Sequence, residues 1–239
     1  NSVSVDLIYG LPKQSVEGFG RTLDTVLAAR PNRFAVYGYA HLPQMFKPQK
    51  QIKVEDLATP ETRLKLLGLT IEKLSEAGYV YIGMDHFALP EDELVIAQQD
   101  GTLHRTFQGY STRGYLDLVG LGVSSIGKVG DNYIQNLKTL PEYYGALDRG
   151  ELPVHRGYTM TTDDVIRRDV IQQIMCYGVL DYDRTSERFG IDFRSYFASE
   201  LLALEPMVAD GLAEFADPGL RVLPAGRLLL RHLGMAFDA

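Results

Sequence analysis

The chain has 239 residues, 45% hydrophobic and 23% charged, with 23 Gly and 11 Pro; that ordinary globular composition excludes a disordered, collagen-like or coiled-coil chain. It leaves room for one large domain or one and a half, with a sizeable core. A net charge of −7 argues against a nucleic-acid or anionic-membrane surface as partner.

The single cysteine, Cys176, forms no internal disulfide and by itself holds neither zinc nor an iron–sulfur cluster. It suits a reducing, cytoplasmic compartment. No apolar run reaches the ~18 residues of a membrane span, and the opening Asn-Ser-Val-Ser-Val lacks the basic and apolar regions of a signal peptide. The chain starts without Met and runs straight into a strand-like segment, which predicts a piece of something longer.

In chain order, Val3 to Tyr9 reads as a strand ended by Gly10-Leu11-Pro12, with Asp6 near its carboxyl end. Phe19, Leu23, Val26 and Leu27 have helical spacing, and Phe34 to Ala40 is the next strand. After a long loop, Thr59-Pro60-Glu61 starts a helix with the stripe Leu64, Leu67, Ile71 and Leu74, closed by Gly78. Tyr79 to Met84 is the third strand. Strand–helix–strand–helix–strand predicts right-handed crossovers and parallel strands, whose carboxyl ends gather ligands. Asp6, Ala40-His41 and Asp85-His86 are the candidates there.

From residue 87 to Gly114 Gly and polar residues dominate, and Leu116 to Val123 reads as a buried strand. The texture turns helical from Thr139, giving a boundary between residues 1–138 and 139–239. Thr162-Asp163-Asp164 caps a helix, a second helix covers Phe193 to Asp210, Gly211–Phe215 and Leu220–Leu223 form a hairpin, and a last helix covers Pro224 to Phe237.

The five histidines show no metal-binding spacing, although a hydrolase built on His41, Asp85 and His86 stays open. Gly120-Leu121-Gly122 resembles a dinucleotide fingerprint but has Ser125 in place of the third Gly, and close packing explains its glycines as well. The last 79 residues look like a winged helix, but from 161 onwards 8 Arg face 13 acidic residues, a balance that would repel phosphate. The Asp85-His86-Phe87 and Phe107-Gln108-Gly109-Tyr110 segments, polar residues flanked by aromatics, fit a pocket lining.

Asp6-Leu7-Ile8-Tyr9-Gly10-Leu11-Pro12 resembles the late-barrel strand motif of the coproporphyrinogen-oxidase branch of radical S-adenosylmethionine (SAM) enzymes. Tyr39-Ala40-His41-Leu42-Pro43, Gly83 to Ala88, Phe107 to Tyr110, Gly120 to Ile126 and Ile166 to Ile171 follow in that family's order. The whole chain resembles the second half of the oxygen-independent members. The Met-Asp-His-Phe and Phe-Gln-Gly-Tyr segments are the specific part, and haem-chaperone relatives resemble it less there.

This resemblance implies an α/β fold: the later strands of an incomplete parallel barrel, then a mostly helical C-terminal domain with a small β-hairpin. It implies a cytoplasmic haem-biosynthesis enzyme, monomeric when complete, that takes coproporphyrinogen III and an electron donor. SAM, two molecules in the family, and a [4Fe–4S] cluster on a CxxxCxxC motif serve oxidative decarboxylation of two propionates to vinyl groups, giving protoporphyrinogen IX. By position, Asp6 and Ala40 match SAM contacts, and Ile126 matches an apolar SAM contact. Gln108 is a further candidate for substrate or SAM, and Arg105 and Arg113 for substrate propionates, with solvated surface arginines as the other reading of that pair. The family's cluster cysteines and Gly-rich SAM strand have no counterpart here, so the chain alone is expected to be inactive and to leave a barrel edge exposed. The alternatives are a haem chaperone of the same fold and a stand-alone binding module.

Overall fold

The computed structural model describes residues 2–238. The chain divides into two compact units that meet in sequence at Asp100–Gly101.

The first unit begins with β1 (Ser4–Tyr9), α1 (Val16–Ala28), β2 (Arg33–Gly38) and α2 (Pro60–Glu76). It continues with β3 (Val80–Gly83), β4 (His86–Ala88) and α3 (Glu93–Gln99). Both long helices start at side-chain caps: Ser15 accepts from the Gly18 N–H, and Thr59 accepts from the Thr62 N–H with Pro60 at the first helical position. Phe19 and Leu23 of α1 and Leu66 and Leu74 of α2 pack with Phe34, Val36, Tyr79, Phe87 and Leu89 into one core. The Tyr79 hydroxyl reaches through that core to donate to the Pro31 carbonyl at 2.6 Å.

The strand order is β1-β2-β4-β3. β1 and β2 pair in parallel, as the crossover rule predicts. β3 does not follow as a third parallel neighbour: β4 lies between and pairs antiparallel to both β2 and β3. The reversal is made by three successive residues with positive φ, Gly83, Met84 and Asp85 (138°, 44° and 69°), so the chain folds back at once along the strand it has just made. Two of the three carry side chains, a conformation that costs of order 1–3 kcal/mol per residue.

A second correction concerns Asp6. It is not at a strand end but sits third of six in β1, in register with Ala35. Val5, Leu7 and Tyr9 turn towards the helix-covered core, so alternation puts Asp6 and Ile8 on the other face.

The second unit opens with the hairpin β5 (His104–Thr106) and β6 (Gly109–Ser111), then β7 (Ile126–Val129), β8 (Asn132–Asn136), α4 (Leu140–Asp148) and β9 (Val154–Thr159). There follow α5 (Thr162–Tyr177), β10 (Val179–Asp181), α6 (Tyr182–Phe189), α7 (Phe193–Tyr196) and α8 (Ala198–Ala209). β11 (Ala213–Ala216), β12 (Gly219–Val222) and α9 (Leu230–Met235) close the unit. The hairpin expected near the C-terminus is β11–β12, with β10 as an added third strand. α5 starts in a full capping box: Thr161 accepts from the Asp164 N–H while the Asp164 carboxylate accepts from the Thr161 N–H.

Leu116 to Val123 is irregular rather than a buried strand. Its one strand-like contact is a bridge between Leu118 and Lys128, and Leu121 is 84% exposed. Gly122 at φ +90 and Ser124 at φ +56 break the extended path. Gly120 and Gly127 are close approaches, where an added Cβ would lie 2.9 Å from Ser125 Oγ and 2.7 Å from the Leu118 carbonyl oxygen. The Phe193–Asp210 helix is split in two at Phe197. The last helix shortens to a 3-10 turn, Gly226–Leu229, followed by α9. Among the described residues no helix is long and apolar enough to cross a membrane.

Candidate functional site

Two surfaces carry the sequence-nominated residues, one in each unit.

In the first unit, register aligns Asp6, Ala35 and His86 across the face of the sheet that turns away from the core, with Ile8 opposite Tyr37 in the next row. Ile8 is 45% and Tyr37 39% exposed, an apolar floor open to solvent. The small Ala35 separates a carboxylate from an imidazole whose backbones lie roughly 10 Å apart by ordinary strand spacing. His86 Nδ1 lies 2.7 Å from the Met84 carbonyl, and the ring meets Tyr37 edge-on. The Asp6 carboxylate has no hydrogen bond or ion pair among the described residues. Ala40 lies just past β2 and is exposed; its carbonyl accepts from Gln49 Nε2 at 3.1 Å, while Gln49 Oε1 accepts from the Leu42 N–H, so one side chain fixes the turn. At the same strand ends, burial first and then the Asp85 charge raise the Tyr9 phenol above its ordinary range, with Arg63 opposing.

In the second unit a cavity of about 850 Å³ is lined by β5–β6, the irregular 113–118 segment, β7, and parts of α5 and α6. Four of the six nominated residues line it: Arg105, Gln108, Arg113 and Ile126. Gln108 and Ile126, which lie 18 residues apart, are joined directly, since Gln108 Nε2 donates to the Ile126 carbonyl at 3.1 Å. The hairpin turn that presents Gln108 is held by Thr106 Oγ1, which donates to the Gly109 carbonyl and accepts from the Gln108 N–H. Phe107, beside it, meets Tyr133 edge-on at 5.4 Å.

Residues that sequence reasoning did not nominate hold this hairpin on α5. Gln172 accepts from the Arg105 N–H at 2.7 Å and donates to the Arg105 carbonyl at 2.6 Å. The Tyr110 hydroxyl donates to the Met175 carbonyl, and the Tyr177 hydroxyl to the Leu103 carbonyl. Arg168, Lys128 and His104 also face the cavity. The available signal for Arg168 and Gln172 was their i, i+4 spacing on the polar flank of the α5 apolar stripe.

The cavity is cationic: Arg105, Arg113, Lys128, Arg168 and Arg188 line it against Asp117 and Asp169. Asp169 is taken up by Arg188, and Asp117 accepts from the Gly130 N–H. Arg105 packs its guanidinium over the Tyr110 ring at 4.8 Å, and its Nη1 is buried without a hydrogen-bond partner. His104 is held below the usual histidine range by burial first, then by the charges of Arg168 and Arg188. Gly114 closes over the His104 ring, where an added Cβ would lie 2.0 Å from it.

The depressed His104 gives a pH dependence of stability. Its folded-state pKa lies below the unfolded value of ~6.5, so its contribution is complete above that value. As pH falls below it the unfolded chain takes the proton first, and stability is lost until the folded pKa is reached. His104→Gln is expected to flatten the change in urea midpoint between about pH 7.5 and 5; an unchanged slope would count against it.

The HemN C-terminal domain model matches residues 160–229. The oxygen-independent coproporphyrinogen III oxidase of Pseudomonas aeruginosa is 51% identical over 237 residues, 99% of this chain and 52% of its own length. The protein of the same name from Thermostichus vulcanus is 44% identical over 239 residues, covering 100% of this chain and 74% of its own length. The chain belongs to the oxygen-independent coproporphyrinogen III oxidase family. The solved coproporphyrinogen III oxidase (HemN) from Escherichia coli, a radical SAM enzyme, matches with a TM-score of 0.97 at 47% identity, over 100% of this chain and 55% of that one. The chain thus spans about half the length of the Pseudomonas and Escherichia coli relatives.

Family membership implies SAM and a [4Fe–4S] cluster, and the residues present fit the two differently. The cluster does not fit: among the described residues no group of His, Cys, Asp and Glu is arranged to hold a metal. Burial pushes the Cys176 thiol up to about 12, which keeps it from serving as a thiolate ligand. The chemistry of the first unit's open face is compatible with SAM: the Asp6 carboxylate, without a partner among the described residues, could accept from a hydroxyl or ammonium group beside an apolar floor.

Proposed function

We propose that this chain is the C-terminal part of an oxygen-independent coproporphyrinogen III oxidase, an oxidoreductase of haem biosynthesis that converts two propionates of coproporphyrinogen III to vinyl groups. In this reading the β1–β2 pair belongs to the later strands of a parallel barrel whose earlier strands and cluster-binding cysteines are supplied by residues upstream. Bound SAM supplies the oxidising chemistry; these residues bind, orient and exclude water. Asp6 and Ala40 are SAM contacts on the first unit, and Ile126 is an apolar SAM contact on the second. Gln108 contacts substrate or SAM, and Arg105 and Arg113 pair with carboxylates.

The observation that carries this reading is the Gln108–Ile126 hydrogen bond: two residues nominated separately meet at the rim of one cationic cavity. Such a cavity in a protein of net charge −7 suits a polycarboxylate substrate. The test has two parts. The reading frame upstream of Asn1 is expected to encode CxxxCxxC. The complete protein, reconstituted anaerobically, is expected to release CO₂ from coproporphyrinogen III in a SAM-dependent way. Gln108→Leu is expected to lower that rate by at least ~10-fold, the worth of one lost polar contact in a closed site. Haem binding without CO₂ release would favour the chaperone alternative.

A further inference from the structure

We propose that the cavity of the second unit anchors substrate carboxylates that do not react, through Arg105, Lys128 and Arg168. This rests on the proposed coproporphyrinogen reading and specifies it, since nothing else assigns a role to Lys128 or Arg168.

The argument starts from charge balance. Buried or half-buried cations ordinarily pair with a carboxylate, because a charge withdrawn from water without a partner is costly. Around this cavity three do not. Lys128 has no side-chain hydrogen bond or ion pair among the described residues. Arg168 donates to the Met160 sulfur at 3.3 Å, a weak acceptor, and makes no ion pair among the described residues. Arg105 keeps a buried Nη1 with no acceptor. The neighbouring Asp169 is committed to Arg188 and to Gln173 Nε2, and so leaves these cations unsatisfied.

The walls fit the rest of such a ligand. Phe107, Tyr133, Leu116 and Phe189 line the same cavity and offer apolar and aromatic surface to a pyrrole ring system. A volume of about 850 Å³ lies within the ordinary range of small-molecule sites. Fixed cations in the wall of a cavity that also offers aromatic surface hold a multi-carboxylate ligand by its outer groups, which leaves one propionate free to be presented elsewhere.

The test is equilibrium binding, which needs no turnover. Coproporphyrin III, the stable oxidised ring with four carboxylates, is titrated into the complete protein and followed by its fluorescence; etioporphyrin I, with none, is the control. Lys128→Met and Arg168→Met are each expected to weaken coproporphyrin III binding by about 10-fold, with etioporphyrin binding unchanged. Arg168→Lys is expected to recover part of the loss. Urea midpoints equal to the parent's establish that the variants are folded. Coproporphyrin III affinity unchanged in both folded variants, or lost equally for both porphyrins, would overturn the proposal. If SAM-dependent CO₂ release is absent while the charge-dependent binding holds, the oxidase reading fails and the carboxylate site stands. If CO₂ release is present and the binding unaltered in the variants, the reverse is true.

Discussion

Replacing Asp6 by alanine is expected to weaken SAM binding to the complete protein by roughly 10- to 150-fold while leaving its unfolding free energy in urea within ~0.5 kcal/mol of the parent. The two halves of this expectation come from one observation. Asp6 lies in the middle of a parallel strand, where aspartate is disfavoured, on the face away from the core and with no hydrogen bond or ion pair among the described residues. It therefore contributes little to the fold that its removal would forfeit. A carboxylate in a charge-assisted hydrogen bond to a bound ligand is worth about 1.5–3 kcal/mol, which sets the affinity range. Asp6→Asn keeps an acceptor and is expected to fall between the two. Equilibrium dialysis with labelled SAM checks the result; an affinity within twofold of the parent would remove Asp6 from the site. A fallen urea midpoint would show instead that the carboxylate has a structural partner.

Position within β1 also shows how far the sequence could be read. The alternation of Val5, Leu7 and Tyr9 already placed Asp6 opposite the core, and only the punctuation at Gly10-Leu11-Pro12 suggested that it ended the strand. The start of α2 announced itself locally through Thr59-Pro60, because a cap needs residues three positions apart and nothing else, whereas the α5 cap expected at Thr162-Asp163-Asp164 lies one residue earlier, at Thr161. The sheet of β7, β8 and β9 was illegible for the opposite reason. Every residue of Val154–Thr159 is exposed, so the strand has no buried face and no period, and it exists by pairing with β8 across 18 to 27 residues. Leu116 to Val123 misled in the other direction, since an apolar run becomes a strand only where a partner strand lies alongside it.

The candidate site divides along the same line. Ile126 came from motif resemblance, Gln108 from its place between aromatics in the Phe107–Tyr110 segment, and Arg105 and Arg113 from the charge that a propionate substrate requires; the four line a common cavity. Gln172 was missed: it holds Arg105 from 67 residues away, and an amide on a helix flank carries no mark of the backbone it will clamp. Nothing in the sequence marks Lys128 out, and it is set apart only by lining the cavity with no side-chain hydrogen bond or ion pair among the described residues.

Phe197→Ala is expected to cost about 3–5 kcal/mol of stability, the range for truncating a fully buried aromatic ring. Phe197 is 0% exposed and marks the break between α7 and α8. Phe193, Tyr196 and Phe237 surround its ring at centroid distances of 4.8, 4.9 and 5.4 Å, and the Arg167 guanidinium lies over it at 5.4 Å. Arg167 in turn donates to Asp163, Glu200 and the Phe237 carbonyl, so the ring is one wall of a half-buried charge cluster. An alanine there leaves a cavity and lets water reach ion pairs whose strength depends on its exclusion. Arg167 and Arg168 are adjacent on α5, the first in this cluster and the second on the cationic cavity. Loosening the one is therefore expected to blur the other, raising the coproporphyrin III dissociation constant even though Phe197 does not line the cavity. Phe197→Leu, which keeps most of the apolar volume, is expected to lose less on both counts. Urea unfolding followed by far-UV circular dichroism suits a chain without tryptophan, and the alanine variant's midpoint is expected to fall by of order 2 M. A loss below about 1 kcal/mol would mean that the surrounding rings close over the gap, and that the second unit's core is held elsewhere.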